Sequence, residues 1–113
     1  MKIFNYKTIP AKTADCCAEN TKVRWLITKE MGAQNFAMRL FEMTAGGSSP
    51  LHKHPYEHEI FVLEGEGSLF DGEKAASFGA GDVIFVPANE MHQFKNRGEK
   101  PLRFLCLIPY IKE

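Results

Sequence analysis

No apolar run in the 113 residues approaches the roughly 18 needed to cross a bilayer as a helix. The N-terminal stretch MKIFNYKTIPAK also lacks the apolar core and small-residue cleavage site of a secretion signal. We therefore expect a cytoplasmic protein with no membrane partner. Net charge is missing too, since fourteen basic residues balance fourteen acidic ones, and no overall field draws the chain to nucleic acid. Cysteine is scarce. The three present, Cys16, Cys17 and Cys106, cannot all pair within one chain, sequence neighbours rarely bridge each other, and no CxxC spacing marks a zinc site. Reduced thiols follow, with no metal role for Cys16 and Cys17. Helical periodicity, internal repeats and linkers are absent as well, and the length suits a single domain over 1–113 with no appended DNA-binding or signalling unit.

What is present is a succession of short β-branched and aromatic segments: KIFNYKTI, KVRWLIT, NFAMRLFEM, EIFVLEG, GSLFDG, KAASFG, DVIFVP, HQFKN and LRFLCLIP. Turn residues separate them, among them Gly46-Gly47, Asp71-Gly72, Pro87 and Arg97-Gly98. Turns at such close spacing predict an all-β antiparallel sandwich or barrel. Asp71-Gly72 reads as a type I′ hairpin, and residues 10–21 read as a loop or one short helical turn.

Histidine is rare but concentrated. His52, His54 and His58 fall within PLHKHPYEHEIFVLEGEG, and His92 is the one other histidine in the chain. In an extended strand His52 and His54 face the same way. After Pro55, His58 shares a face with Ile60 and Val62, while Glu59 faces the other side with Phe61 and Leu63. Crowded neutral imidazoles lose hydration, and protonated ones repel one another. A cation that accepts their lone pairs removes both costs, so the cluster reads as a metal site rather than as surface histidines.

The same residues carry a family resemblance. The cupin superfamily has a first motif G(x)5HxH(x)3-4E(x)6G, which resembles Gly46, His52, His54, position 58 and Gly65 with every spacing kept. Its second motif, G(x)5PxG(x)2H(x)3N, resembles Gly81, Pro87, position 89, His92 and Asn96. Motif one thus spans 46–65 and motif two 81–96. His58 stands where the acidic ligand is usual, with Glu59 as the rival ligand one residue on, and Asn89 stands where glycine is usual. Asn tolerates the left-handed region better than other side chains. The resemblance implies an antiparallel double-stranded β-helix, or jelly roll, and one divalent transition metal held by His52, His54, His58 and His92. Manganese is the expectation by resemblance to small four-histidine cupins, and imidazole donors also suit iron, copper, nickel or zinc.

Four neutral ligands leave the ion its full charge, and an octahedral ion keeps two open positions. The resemblance implies three uses for such a site: dioxygenase-like oxidation of a small organic substrate, Lewis-acid isomerisation or decarboxylation, and binding of a sugar or carboxylate without catalysis. No protein nucleophile is expected. A purely structural ion is the weaker alternative. Arg39 reads equally as an outward surface residue or as a pocket cation that orients a carboxylate. By resemblance Phe104, Cys106 and Ile108 line the pocket, although Cys106 alone reads as plain core. Glu64 and Glu66 read as solvated. The strands within 1–30, with Trp25, suit a homodimer interface, the alternative being that Trp25 caps its own barrel.

Overall fold

The computed structural model describes residues 1–14 and 18–110, so the expectations for Cys16 and Cys17 lie outside the described residues. Alternating apolar segments form strands β1 (Lys12–Thr13), β2 (Glu19–Ile27), β3 (Phe36–Ser48), β4 (His58–Glu64), β5 (Glu66–Phe70), β6 (Ala75–Gly79), β7 (Val83–Val86), β8 (Gln93–Asn96) and β9 (Leu102–Pro109). They make one antiparallel sheet in the order β6-β5-β8-β3-β9-β4-β7, with β2 also paired to β3 and β1 to β2. Among the described residues no helix is long and apolar enough to cross a membrane.

β3 is the hub. Phe36 to Met43 pair with β9, while Ser48 at its far end pairs with Lys95 of β8. One strand thus passes from one half of the sheet to the other, and the sheet curls into a half-barrel of the jelly-roll kind. β3 runs straight past Gly46-Gly47, where a turn was expected. The reason is a bulge: Gly46 has φ 79° and Asn20 φ 47°, and the β2–β3 ladder slips between Glu19 and Thr21. The extra residues are absorbed without ending the strand.

Period-2 alternation decides what faces the concave side. On β4, His58, Ile60 and Val62 are buried while Glu59, Phe61 and Leu63 are exposed. On β9, Leu102, Phe104 and Cys106 are buried. Ile60, Val62, Leu102, Phe104 and Cys106 join Met43, Phe78, Val86 and Phe94 in one core cluster, against which Phe41 packs, with Phe104 stacked on Phe41 at 5.3 Å and leaning on Phe94 at 5.2 Å.

Three local expectations change. The segment KIFNYKTI is not a strand but holds a 3-10 turn at Tyr6–Thr8. There the Asn5 side chain accepts from the Lys7 N–H, offering the backbone a local partner in place of a ladder. The segment is held by Arg24, which donates to the Ile9 carbonyl at 2.6 Å, and by the Arg24 and Arg103 guanidinium groups over the Tyr6 ring. Within residues 10–21 two strands appear, because Lys12 and Thr13 pair with Val23 and Lys22. The turn after β5 is not type I′: Gly72 has φ 101° but Asp71 is not in the left-handed region. The Asp71 carboxylate instead accepts from the Glu73 and Lys74 N–H groups at 2.8 and 2.7 Å. Those bonds hold its pKa below the ordinary value.

Asn96 latches the loop after β8. Its Nδ2 donates to the Met43 and Lys100 carbonyls at 3.0 and 2.9 Å, and its Oδ1 accepts from the Gly98 N–H at 2.9 Å. Asn96→Ala leaves the buried Met43 carbonyl without this donor. We expect a loss of about 2–4 kcal/mol, read as a lower midpoint in urea unfolding with an unchanged slope.

Candidate metal centre

Backbone pairing brings the histidines together. His52 and His92 form a two-residue bridge, with the His52 N–H donating to the His92 carbonyl at 3.1 Å and the reverse bond at 2.8 Å. The His54 carbonyl accepts from the Asn89 N–H at 2.6 Å. Asn89 has φ 66°, so the left-handed turn survives without glycine. His58 opens β4 opposite Val86 of β7. His52 and His54 are therefore not in one regular strand, because Pro55 and the bridge to His92 leave residues 53–57 outside the ladder.

The ligand-capable atoms of His52, His54 and His92 lie within 4.8 Å of one another, a spacing at which one ion can meet all three. His58 adjoins this group, its ring centroid 4.8 Å from that of His92 and 5.4 Å from that of His54. His92 Nδ1 lies 2.9 Å from the Glu90 carbonyl. A carbonyl only accepts, so Nδ1 carries the proton and Nε2 keeps its lone pair. Burial, then the neighbouring His92, Arg39, His54 and His52, push the His58 pKa down to about 3, so this ring is neutral at ordinary pH. Its Nε2 is buried and has no hydrogen-bond partner, an atom that a cation would satisfy. Glu59 is exposed on the opposite face of β4, beside Phe85 and Leu107.

The cluster sits in a cavity of about 250 Å³ whose lining includes Trp25, Arg39, Phe41, Tyr56, Phe104, Cys106 and Ile108. Arg39 is half-buried in it. The guanidinium carbon lies 5.3 Å from the Trp25 ring and 4.9 Å from the Phe41 ring, and Nη2 donates to Cys106 Sγ at 3.1 Å. Arg39 Nε is buried with no hydrogen-bond partner. Trp25 thus flanks the cavity in its own chain while staying 40% exposed. Glu64 pairs with Arg103 at 3.6 Å and Glu66 is exposed, both away from the cavity lining. Sequence reading missed Tyr56, whose ring lies parallel to His54 at 4.8 Å. Its place between His54 and His58 was the available signal.

Comparison with known proteins finds the same fold elsewhere. The polyketide cyclase RemF from Streptomyces resistomycificus matches with a TM-score of 0.90 at 33% identity, covering 100% of this chain and 88% of that one. The oxalate-binding protein of Thermotoga maritima is 40% identical over 87 residues, 74% of this chain and 70% of its own. The 1-methylthio-D-xylulose 5-phosphate methylsulfurylase of Rhodospirillum rubrum is 31% identical over 71 residues, 63% of this chain but 46% of its own length. This chain therefore spans less than half of that relative. The Cupin domain family matches residues 39–108, which takes in Arg39, all four histidines and Cys106, and the chain belongs to that family.

Proposed function

We propose that the protein is a metal-dependent enzyme acting on a compact, oxygen-rich, anionic organic substrate. In this reading His52, His54 and His92 hold a divalent transition metal, with His58 as the fourth ligand. The ion, when bound, supplies Lewis-acid stabilisation of negative charge developing on a carbonyl oxygen. The observation that carries the reading is the three-histidine group within 4.8 Å at the base of an aromatic cavity that also holds Arg39. Among the described residues the cavity lining contains no carboxylate, so a neutral imidazole cluster, a divalent ion and Arg39 together make that wall electropositive. That field selects an anion such as a carboxylate or enolate. A volume of about 250 Å³ lies near the lower end of small-molecule sites, about 300 Å³, which suits one or two rings rather than an extended chain.

Within the cavity Trp25, Phe41 and Phe104 exclude water, while Arg39 points donors at an acidic group. Likeness to a polyketide cyclase over the whole chain supports chemistry on keto-rich substrates. A second reading, capture of a small dicarboxylate without turnover, is favoured by the unpartnered Arg39 Nε and by the oxalate-binding relative. The test is to identify the metal in protein purified without chelators, then offer the loaded protein β-keto carboxylates and oxalate, following products by mass spectrometry. Cyclised or isomerised products support the enzyme, and binding of oxalate alone supports the second reading. Dioxygen uptake during turnover would instead favour the dioxygenase-like chemistry that the sequence resemblance implies. No binding and no turnover would sink both readings.

Two substitutions sharpen the reading. Glu59→Ala is expected to leave metal content unchanged and His58→Ala to lower affinity at least about tenfold, both measured by competition with a chromophoric chelator. Arg39→Ala is expected to weaken carboxylate binding roughly 10- to 100-fold, as loss of a hydrogen bond to a charged group does, with the metal still bound. Titration calorimetry checks it.

A further inference from the structure

Cys106 is buried, and so far it figures only as cavity lining and as an acceptor for Arg39. It sits on β9 between β3 and β4, directly opposite Arg39 on one side and Ile60 on the other. His58 is two residues from Ile60 on the same inward face. The Cys106 sulfur is therefore reached from both flanking strands: Arg39 Nη2 lies 3.1 Å away and His58 Nδ1 3.4 Å.

We propose that Cys106 is the positioning residue of the histidine cluster, its sulfur receiving the Nη2 proton of Arg39 and the Nδ1 proton of His58 and so fixing both groups. Arg39 has only donors to give, which commits one sulfur lone pair to it. A neutral His58 ring carries one proton. Were it on Nε2, a buried N–H would point at nothing, since Nε2 has no hydrogen-bond partner. On Nδ1 it meets the second sulfur lone pair, and Nε2 is left as a free donor to a cation. One sulfur thus ties the cation of the substrate wall to a ring of the cluster. The purpose of this arrangement rests on the metal reading above, but the arrangement itself does not.

The test uses the full chain and three proteins: wild type, Cys106→Ala and Cys106→Ser. Long-range proton–nitrogen NMR of the metal-free forms reports the His58 tautomer, and competition with a chromophoric chelator reports affinity for the zinc ion alone. Wild type and Cys106→Ser should show the Nδ1–H tautomer, because a hydroxyl also accepts. Cys106→Ala should show Nε2–H or a mixture and bind zinc roughly tenfold more weakly, as loss of an orienting partner does. An unchanged tautomer in Cys106→Ala overturns the proposal, as does unchanged zinc affinity. If wild type binds no zinc or other divalent ion, the metal reading fails by itself, and the tautomer measurement still decides the role of Cys106.

Discussion

Replacing His92 by alanine is expected to abolish divalent metal binding, with a loss of more than about 100-fold in affinity. His92 is the central ring of the cluster, 4.7 Å from His52 and 4.8 Å from His58 between centroids. It is 3% exposed and its Nδ1 is anchored on the Glu90 carbonyl, so its lone pair is aimed before any ion arrives. Removing an outer partner of a ligand already costs 10- to 100-fold, and removing the ligand costs more. Folding stability reports the same event. A metal at about 100 times its Kd stabilises the folded chain by about 2.7 kcal/mol, so wild type should melt higher with metal and His92→Ala should not. His52→Ala and His54→Ala should behave alike, since their ligand atoms belong to the same group. Full metal content in His92→Ala, with the same thermal gain, would show that the cluster is not a metal centre.

Gly65→Ala should be among the most damaging single-methyl additions available to the fold. Gly65 joins β4 to β5 with φ 90°, a region that costs an L side chain about 1–2 kcal/mol. An added Cβ would also lie 2.5 Å from the Pro101 carbonyl oxygen and 2.8 Å from the Leu102 Cα. Both are backbone atoms, and Leu102 is fully buried in the core, so neither can swing aside. We expect a loss of about 4 kcal/mol or more, a fall of roughly 15 °C or more in Tm. Gly81 separates the two causes. It has the same φ of 90° but nothing within 4 Å of its Cβ position, so Gly81→Ala should cost only the conformational part, about 1–2 kcal/mol. Equal losses at the two positions would show that crowding at Gly65 plays no part.

Much of the fold is legible in the order of the residues. Strands β3 to β9 lie where apolar alternation places them, to within a few residues except at the far end of β3. Gly65 and Gly81, read as motif glycines, are positions of positive φ, and Asn89 shows that asparagine serves where glycine is usual. The N-terminal segment is not legible in this way, because KIFNYKTI has strand composition but its ordering depends on Arg24 and Arg103, which reach it from β2 and β9. Arg39 is undecidable from sequence. Alternation along β3 puts it on one face, and only the curl of the sheet can say that this face looks into the cavity.

The division has one physical reason. Alternation, turn chemistry and ligand spacing are properties of neighbours along the chain, so the residues alone determined an all-β domain with His58 and Glu59 on opposite faces and a histidine-rich first motif that resembles the cupin pattern. What lies beside what across strands depends on register and curvature, which are set by the whole sheet packing at once. Only the tertiary structure decided that His92 bridges His52, that Arg39 lies against Trp25 and Phe41, and that a buried sulfur stands between Arg39 and His58.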